Sequence, residues 1–121
     1  VGVRYPDINR AALAGYIMVR DAAVVSSGGY EQFFEYNGTC YQHIIDPFTG
    51  ESAATDVLGA TVVAPAAADA DAYATAVCVM GVKSGLEFLE KLPDVEGLIF
   101  DKNKNIYLTP GLEDHFFRLE V

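Results

Sequence analysis

The feature that most constrains this chain is a strand joined to a helix by a single proline. Val57 to Ala64 is uncharged and rich in β-branched residues, as a buried strand requires, and Pro65 stops it. Ala66 to Met80 is alanine-rich and reads as a helix. Asp69 and Asp71 fall in its first turns, where the helix dipole favours negative charge, and Gly81 ends it. Ser84 to Leu92 reads as a second helix, with Leu86, Phe88 and Leu89 as its apolar residues and Pro93 as its stop.

The remaining segments read as strands that this unit must gather. Gly15 to Arg20 and Ala22 to Ser26 are two, separated by a short turn at Asp21. Gln32 to Tyr36 and Thr39 to Ile45 form a hairpin around Asn37-Gly38, a strong short-range turn signal. Val95 to Asp101 and Ile106 to Thr109 close a second hairpin over Lys102 to Asn105, and His115 to Leu119 is a last strand or turn. Glu51 to Asp56 reads as a loop. The pattern predicts one α+β domain over 1–121: a mainly antiparallel sheet with two helices packed on one face. Val1 to Pro6 reads as the end of a strand whose pairing partners lie upstream. With 51% hydrophobic residues in 121, that opening predicts an exposed apolar surface and association, with its own copy or another chain.

Charge narrows the function classes. The formal net charge of −9 disfavours nucleic acid and anionic membranes as partners, since both attract basic patches. A phosphate ligand would need a cation or backbone amides to offset repulsion. No apolar run approaches the ~20 residues of a membrane span. No secretory or lipid-attachment motif is present in these residues, and because the first is Val1, an upstream segment removed earlier is expected. Localisation is not written in them. Cys40 and Cys78 lack zinc spacing and read as buried small hydrophobes.

Three groups of residues can carry chemistry. Tyr41 to Gly50 sets His43 beside an Asp46-Pro47-Phe48-Thr49-Gly50 turn. Pro47 pushes Asp46 into an extended conformation, and Gly50 is free to complete the bend. His43 near a carboxylate can be a general base or can orient a phosphate; it can equally be a satisfied polar group at a strand end. Asp71 and Thr75 lie four apart, so a carboxylate and a hydroxyl share one helix face. Two hard oxygens at that spacing can hold Mg²⁺. They can equally be a dipole-stabilising residue and an ordinary helix residue. Ser26-Ser27-Gly28-Gly29-Tyr30 is a small-residue loop whose amides can approach an anion and whose Tyr30 can stack on a ring. His115 has no assigned role.

These stretches, in this order, resemble the C-terminal half of the ApbE-type FAD:protein FMN transferases. Ser26 to Tyr30 is similar to the family's Thr-Ser-Gly-Asp-Tyr loop, and His43 to Gly50 to its His-Ile-Ile-Asp-Pro-x-Thr-Gly motif. Ala68 to Ala76 is similar to its Ala-Asp-Ala-x-Ala-Thr helix, with Val79-Met80-Gly81 as the helix ending. Gly29 stands where the loop usually has an acid, and Phe48 where the family often has a basic residue.

The resemblance implies a T-fold-like half of an enzyme whose N-terminal half is absent here. It implies Mg²⁺-dependent transfer of FMN from FAD, as substrate, to a Ser or Thr of an acceptor protein, releasing AMP. By it, Asp71 and Thr75 are metal ligands, and His43 and Asp46 are catalytic. Ser27, Gly28, Tyr30, His43, Thr49 and Gly50 contact the flavin nucleotide. The family also implies a periplasmic or membrane-anchored outside location. The rival expectations are a non-catalytic flavin-binding or assembly module completed by another chain, and hydrolysis of FAD to FMN and AMP.

Overall fold

The computed structural model describes residues 1–5, 13–28, 33–36, 39–42 and 56–119, with the backbone alone for 33–36 and 39–42. Strand β6 (Val57–Ala64) is its axis. On one edge it pairs antiparallel with β3 (Ala23–Gly28), and on the other with β7 (Glu96–Asp101). A fourth strand, β8 (Ile106–Leu108), extends the sheet beyond β7, giving the order β3-β6-β7-β8. Both faces of β6 are covered, which is why its sequence shows no alternation with charged residues.

Two helices cover one face. Helix α1 (Ala67–Met80) buries Ala70, Ala74, Val77 and Cys78; helix α2 (Val82–Glu90) buries Val82, Gly85 and Leu89. These join Val57, Ala60, Val62, Ala64, Val95 and Ile99 in one core. Gly81 separates the helices with φ of 96°, a conformation that favours glycine. Helix α2 starts earlier than the expected Ser84, because the Val82 N–H donates to Asp56 Oδ1 at 2.9 Å. That carboxylate caps the helix from 26 residues upstream, beyond the reach of any local signal.

The opposite face carries a second layer. Strands β1 (Gly2–Arg4), β2 (Leu13–Ile17) and β9 (Phe116–Arg118) form a three-stranded antiparallel sheet in the order β1-β2-β9. Val3, Ala14, Ile17 and Phe116 point from it onto Val63, Leu98 and Phe100. At its centre Gly15 permits close approach: a Cβ there would lie 2.5 Å from the Phe117 carbonyl and 2.7 Å from the Phe116 ring. The opening strand finds one partner within these residues, β2, and stands at the edge of its sheet, so pairing on its other side with residues upstream is a separate matter. The turn at Asp21 (φ 54°) also does more than join two strands, for β2 and β3 belong to different layers.

The α+β class, the antiparallel pairing and the two helices on one face agree with the sequence. So does the hairpin of β4 (Phe33–Tyr36) and β5 (Thr39–Gln42), which brackets Asn37-Gly38. A short 3₁₀ turn (Pro110–Leu112) leads into β9. Beside it Thr109 is fully buried: the Gly97 N–H donates to its Oγ1 at 3.0 Å, and Oγ1 donates to Glu96. The outer face of the small sheet exposes Tyr16 and Phe117, stacked at 5.3 Å, together with Leu13, Met18 and Leu119. An apolar surface was expected; its association with a partner is a separate matter. No helix among the described residues is long and apolar enough to cross a membrane.

Candidate active site at the end of β3

Strand β3 ends where α1 crosses it. Successive side chains of a strand point to opposite faces, so Ser26 and Ser27 diverge. Ser26 Oγ meets Thr61 Oγ1 of β6 at 2.7 Å, on the side of the small sheet. Ser27 faces the helices. Its Oγ lies 3.3 Å from Thr75 Oγ1, and its backbone carbonyl accepts the Cys78 thiol at 3.6 Å. Gly28 then pairs with Gly59 in the last register position of the β3–β6 ladder.

The approach of helix to strand rests on small residues. Ala70 and Ala74 are fully buried against the sheet, so the α1 backbone lies near β3 and short side chains can touch. Asp71 and Thr75 follow those alanines by one position each. Both are exposed and stand one turn apart on the same side of α1. The Asp71 carboxylate has no hydrogen bond or ion pair to another described residue. Cys78, beneath Thr75, is a reduced thiol whose pKa is pushed up to about 12 by burial. At neutral pH it is a hydrogen-bond donor and a poor nucleophile.

A magnesium ion suits hard oxygen donors, usually one or two carboxylates completed by water and substrate phosphate. Asp71 and Thr75 fit that donor set as a partial shell: one carboxylate, one hydroxyl, both open to solvent. No group of three or more His, Cys, Asp or Glu side chains gathers among the described residues, so nothing there suggests a closed, all-protein cage. Of the other expected site residues, Tyr30, His43, Asp46, Thr49 and Gly50 lie outside the described residues. The sequence reading missed the role of Cys78 against Ser27. Its signal was the three-residue spacing from Thr75, which stacks the two on adjacent turns.

Two hollows lie nearby. One, of about 140 Å³, opens between the layers beside Arg4, Ser26, Gly59 and Thr61. Another, of about 490 Å³, lies at the start of α2 and is lined by Asp56, Lys83, Asp101, Lys102 and Tyr107. Asp101 is engaged in its own turn. Desolvation raises its pKa, but hydrogen bonds from Asn105, Tyr107 and the Asn103 N–H outweigh it and hold the carboxyl below the usual range. The same bond to Asp101 raises the Tyr107 phenol.

A family model described as the ApbE family matches residues 1–99. An FAD:protein FMN transferase of Treponema pallidum is 42% identical over 114 residues, covering 94% of this chain and 32% of that protein. The crystal structure of an ApbE protein from Thermotoga maritima superposes with a TM-score of 0.82 at 32% identity, over 99% of this chain and 38% of that one. The flavin transferase ApbE of Vibrio cholerae gives 0.77 at 27% identity, over 95% of this chain and 37% of that one. The chain thus spans about a third of the length of the curated relatives it matches. Matched by the family model over most of its length and by a relative over nearly all of it, the chain belongs to the ApbE family.

Proposed function

We propose that these residues form part of a flavin transferase that moves FMN from FAD to a Ser or Thr hydroxyl of an acceptor protein. The observation that carries this reading is the exposed Asp71–Thr75 pair on α1, set against Ser27 by a hydrogen bond between elements far apart in sequence. The names of the matched relatives support the same reaction. The acceptor oxygen forms a bond to the flavin-side phosphorus of FAD, the bond from that phosphorus to the bridging oxygen of the diphosphate breaks, and AMP leaves carrying the bridging oxygen. The acceptor's proton passes to a base. Bound Mg²⁺ would neutralise diphosphate charge, which an acidic protein otherwise repels.

This chain's own groups divide the work. Asp71 and Thr75 supply oxygen donors for the ion. Ser27 and Gly28 line the approach from β3, and Tyr30, Thr49 and Gly50 are assigned to the flavin nucleotide by their motifs. His43 is assigned by its motif either to orient the phosphate or to take the acceptor's proton, and Asp46 is assigned to the catalytic group by the same motif. Positioning supplies much of the rate in such a reaction.

A second reading is favoured by the coverage of the relatives, about a third of their length. In it the segment is a flavin-binding or assembly module whose cleft is completed by further chain, in cis or in trans. With water as acceptor, the same site would hydrolyse FAD to FMN and AMP. The test compares the protein as the cell makes it with its Asp71→Ala variant, given FAD, Mg²⁺ and an acceptor protein. Covalent flavin fluorescence on a denaturing gel, free FMN and Tm are followed together. Loss of a metal ligand should cost several kcal/mol at the transition state, about a hundredfold or more in rate. The folding cost should stay at about 0.3–1 kcal/mol through the helix dipole. Transfer at the parental rate would refute the metal assignment, and free FMN without labelled acceptor would favour hydrolysis. The 121 residues alone should transfer nothing.

A further inference from the structure

A hydroxyl has one proton and two lone pairs. When a threonine oxygen serves as a metal ligand, its proton must be given to another acceptor. In a helix the usual acceptor is the carbonyl one turn back, a bond that also tends to bend the helix. Here another acceptor is at hand: Ser27 Oγ, 3.3 Å from Thr75 Oγ1.

Ser27 is itself fixed on two sides. Its backbone pairs with Ala60 in the β3–β6 ladder, and its carbonyl takes the Cys78 Sγ–H at 3.6 Å. Thr75 and Cys78 therefore grip one residue of β3 from adjacent turns of α1, one through the side chain and one through the main chain. Ser26 is tied the opposite way, to Thr61, so the strand end cannot roll about its axis without losing a bond on one face or the other.

We infer that Ser27 is a positioning residue for the metal-binding pair: its hydroxyl accepts the Thr75 proton and so leaves both lone pairs of Thr75 Oγ1 for a divalent cation shared with Asp71. This rests on the metal reading above and adds a residue that acts through Thr75 rather than on the ion. Partners of this kind, one step removed from the ligand, typically change metal affinity by about 10–100-fold. Ser27 then keeps its own proton to give outward.

The experiment titrates Mn²⁺ as probe into the protein as the cell makes it, read by electron paramagnetic resonance, with Tm in parallel. Ser27→Ala should bind Mn²⁺ about tenfold more weakly, and Ser27→Thr, which keeps the hydroxyl, should recover most of the loss. In a Thr75→Val background, Ser27→Ala should change Mn²⁺ affinity little further, because its effect passes through Thr75. Parental affinity in Ser27→Ala, alongside lost affinity in Asp71→Ala, would overturn the inference while sparing the metal site. Full additivity of Ser27→Ala and Thr75→Val would overturn it too. Should Asp71→Ala bind Mn²⁺ as the parent does, the failure belongs to the metal reading beneath. Ser27→Cys, which keeps the size but offers only a weak sulfur acceptor, replaces Ser27→Ala if the alanine variant does not fold.

Discussion

Helices α1 and α2 lie on the same sheet and meet at Gly81, yet they are held by opposite means. The buried face of α1 is made of Ala70, Ala74, Val77 and Cys78. That of α2 centres on Leu89, fully buried, with Gly85 packed so tightly that a Cβ there would lie 2.8 Å from Val77. Leu89 in turn occupies the space a side chain on Gly97 would need. Apolar burial is worth about 25 cal/mol per Å², so Leu89 gains more by burial than Ala70 or Ala74 does, while those alanines let α1 lie close to β3. The difference teaches where chemistry can be placed. Short side chains such as Ser27 and Thr75 meet only when backbones are close, and an alanine face brings them close. Tyr73 and Phe88, edge to face at 5.7 Å, tie the two helices together at the rim.

The largest effect should come from the anchoring helix. Leu89→Ala should cost about 2–5 kcal/mol in urea unfolding, because the cavity lies in the core. Mn²⁺ affinity per folded molecule should be unchanged; a matching loss of affinity would mean that α2 also shapes the site. Ala74→Leu attacks the other side of the comparison. Overpacking should cost about 1–3 kcal/mol and push α1 from β3, so Mn²⁺ affinity and flavin transfer fall with it. Retained affinity would show that proximity of α1 to β3 is not what the site needs.

A smaller effect isolates Cys78. Its folded pKa lies above the value of 9.0 for an unburied thiol, so the folded state holds the proton more tightly. Below pH 9 both states are protonated and the thiol adds no pH dependence. As pH rises from 9 toward about 12, the unfolded state ionises first and stability is lost, by about 1.4 kcal/mol at pH 10. Cys78→Ala should flatten that part of the stability curve measured against the parent. Parallel curves for the two would show that the thiol is not buried as described.

Much of the local structure was legible. The strand Val57–Ala64 was bounded by Pro65, and α1 by its alanines and Gly81. The Asn37-Gly38 signal lies between the paired β4 and β5. What escaped the sequence is non-local. Nothing near Ala22 says that β2 and β3 part into different layers, since two short strands around a tight turn read the same whether or not they pair. Nothing near Ser84 announces the cap supplied by Asp56. For the site, helix periodicity sufficed to set Asp71 and Thr75 on one face. The Ser27–Thr75 bond joins residues 48 apart, and no periodicity reports on it.

The three-stranded sheet also has a kinetic meaning. Its central strand β2 is flanked by β1, near in sequence, and by β9, almost a whole described chain away. Hairpins such as β7–β8 close short loops, whereas β2–β9 must close a long one against a greater entropy cost. Non-local pairings of this kind slow folding. Until β9 brings Phe116 into place, the cover that Val3, Ala14 and Ile17 give to Leu98 and Phe100 is incomplete, and a nascent chain passes through an interval in which part of that apolar face is open to water and to its neighbours.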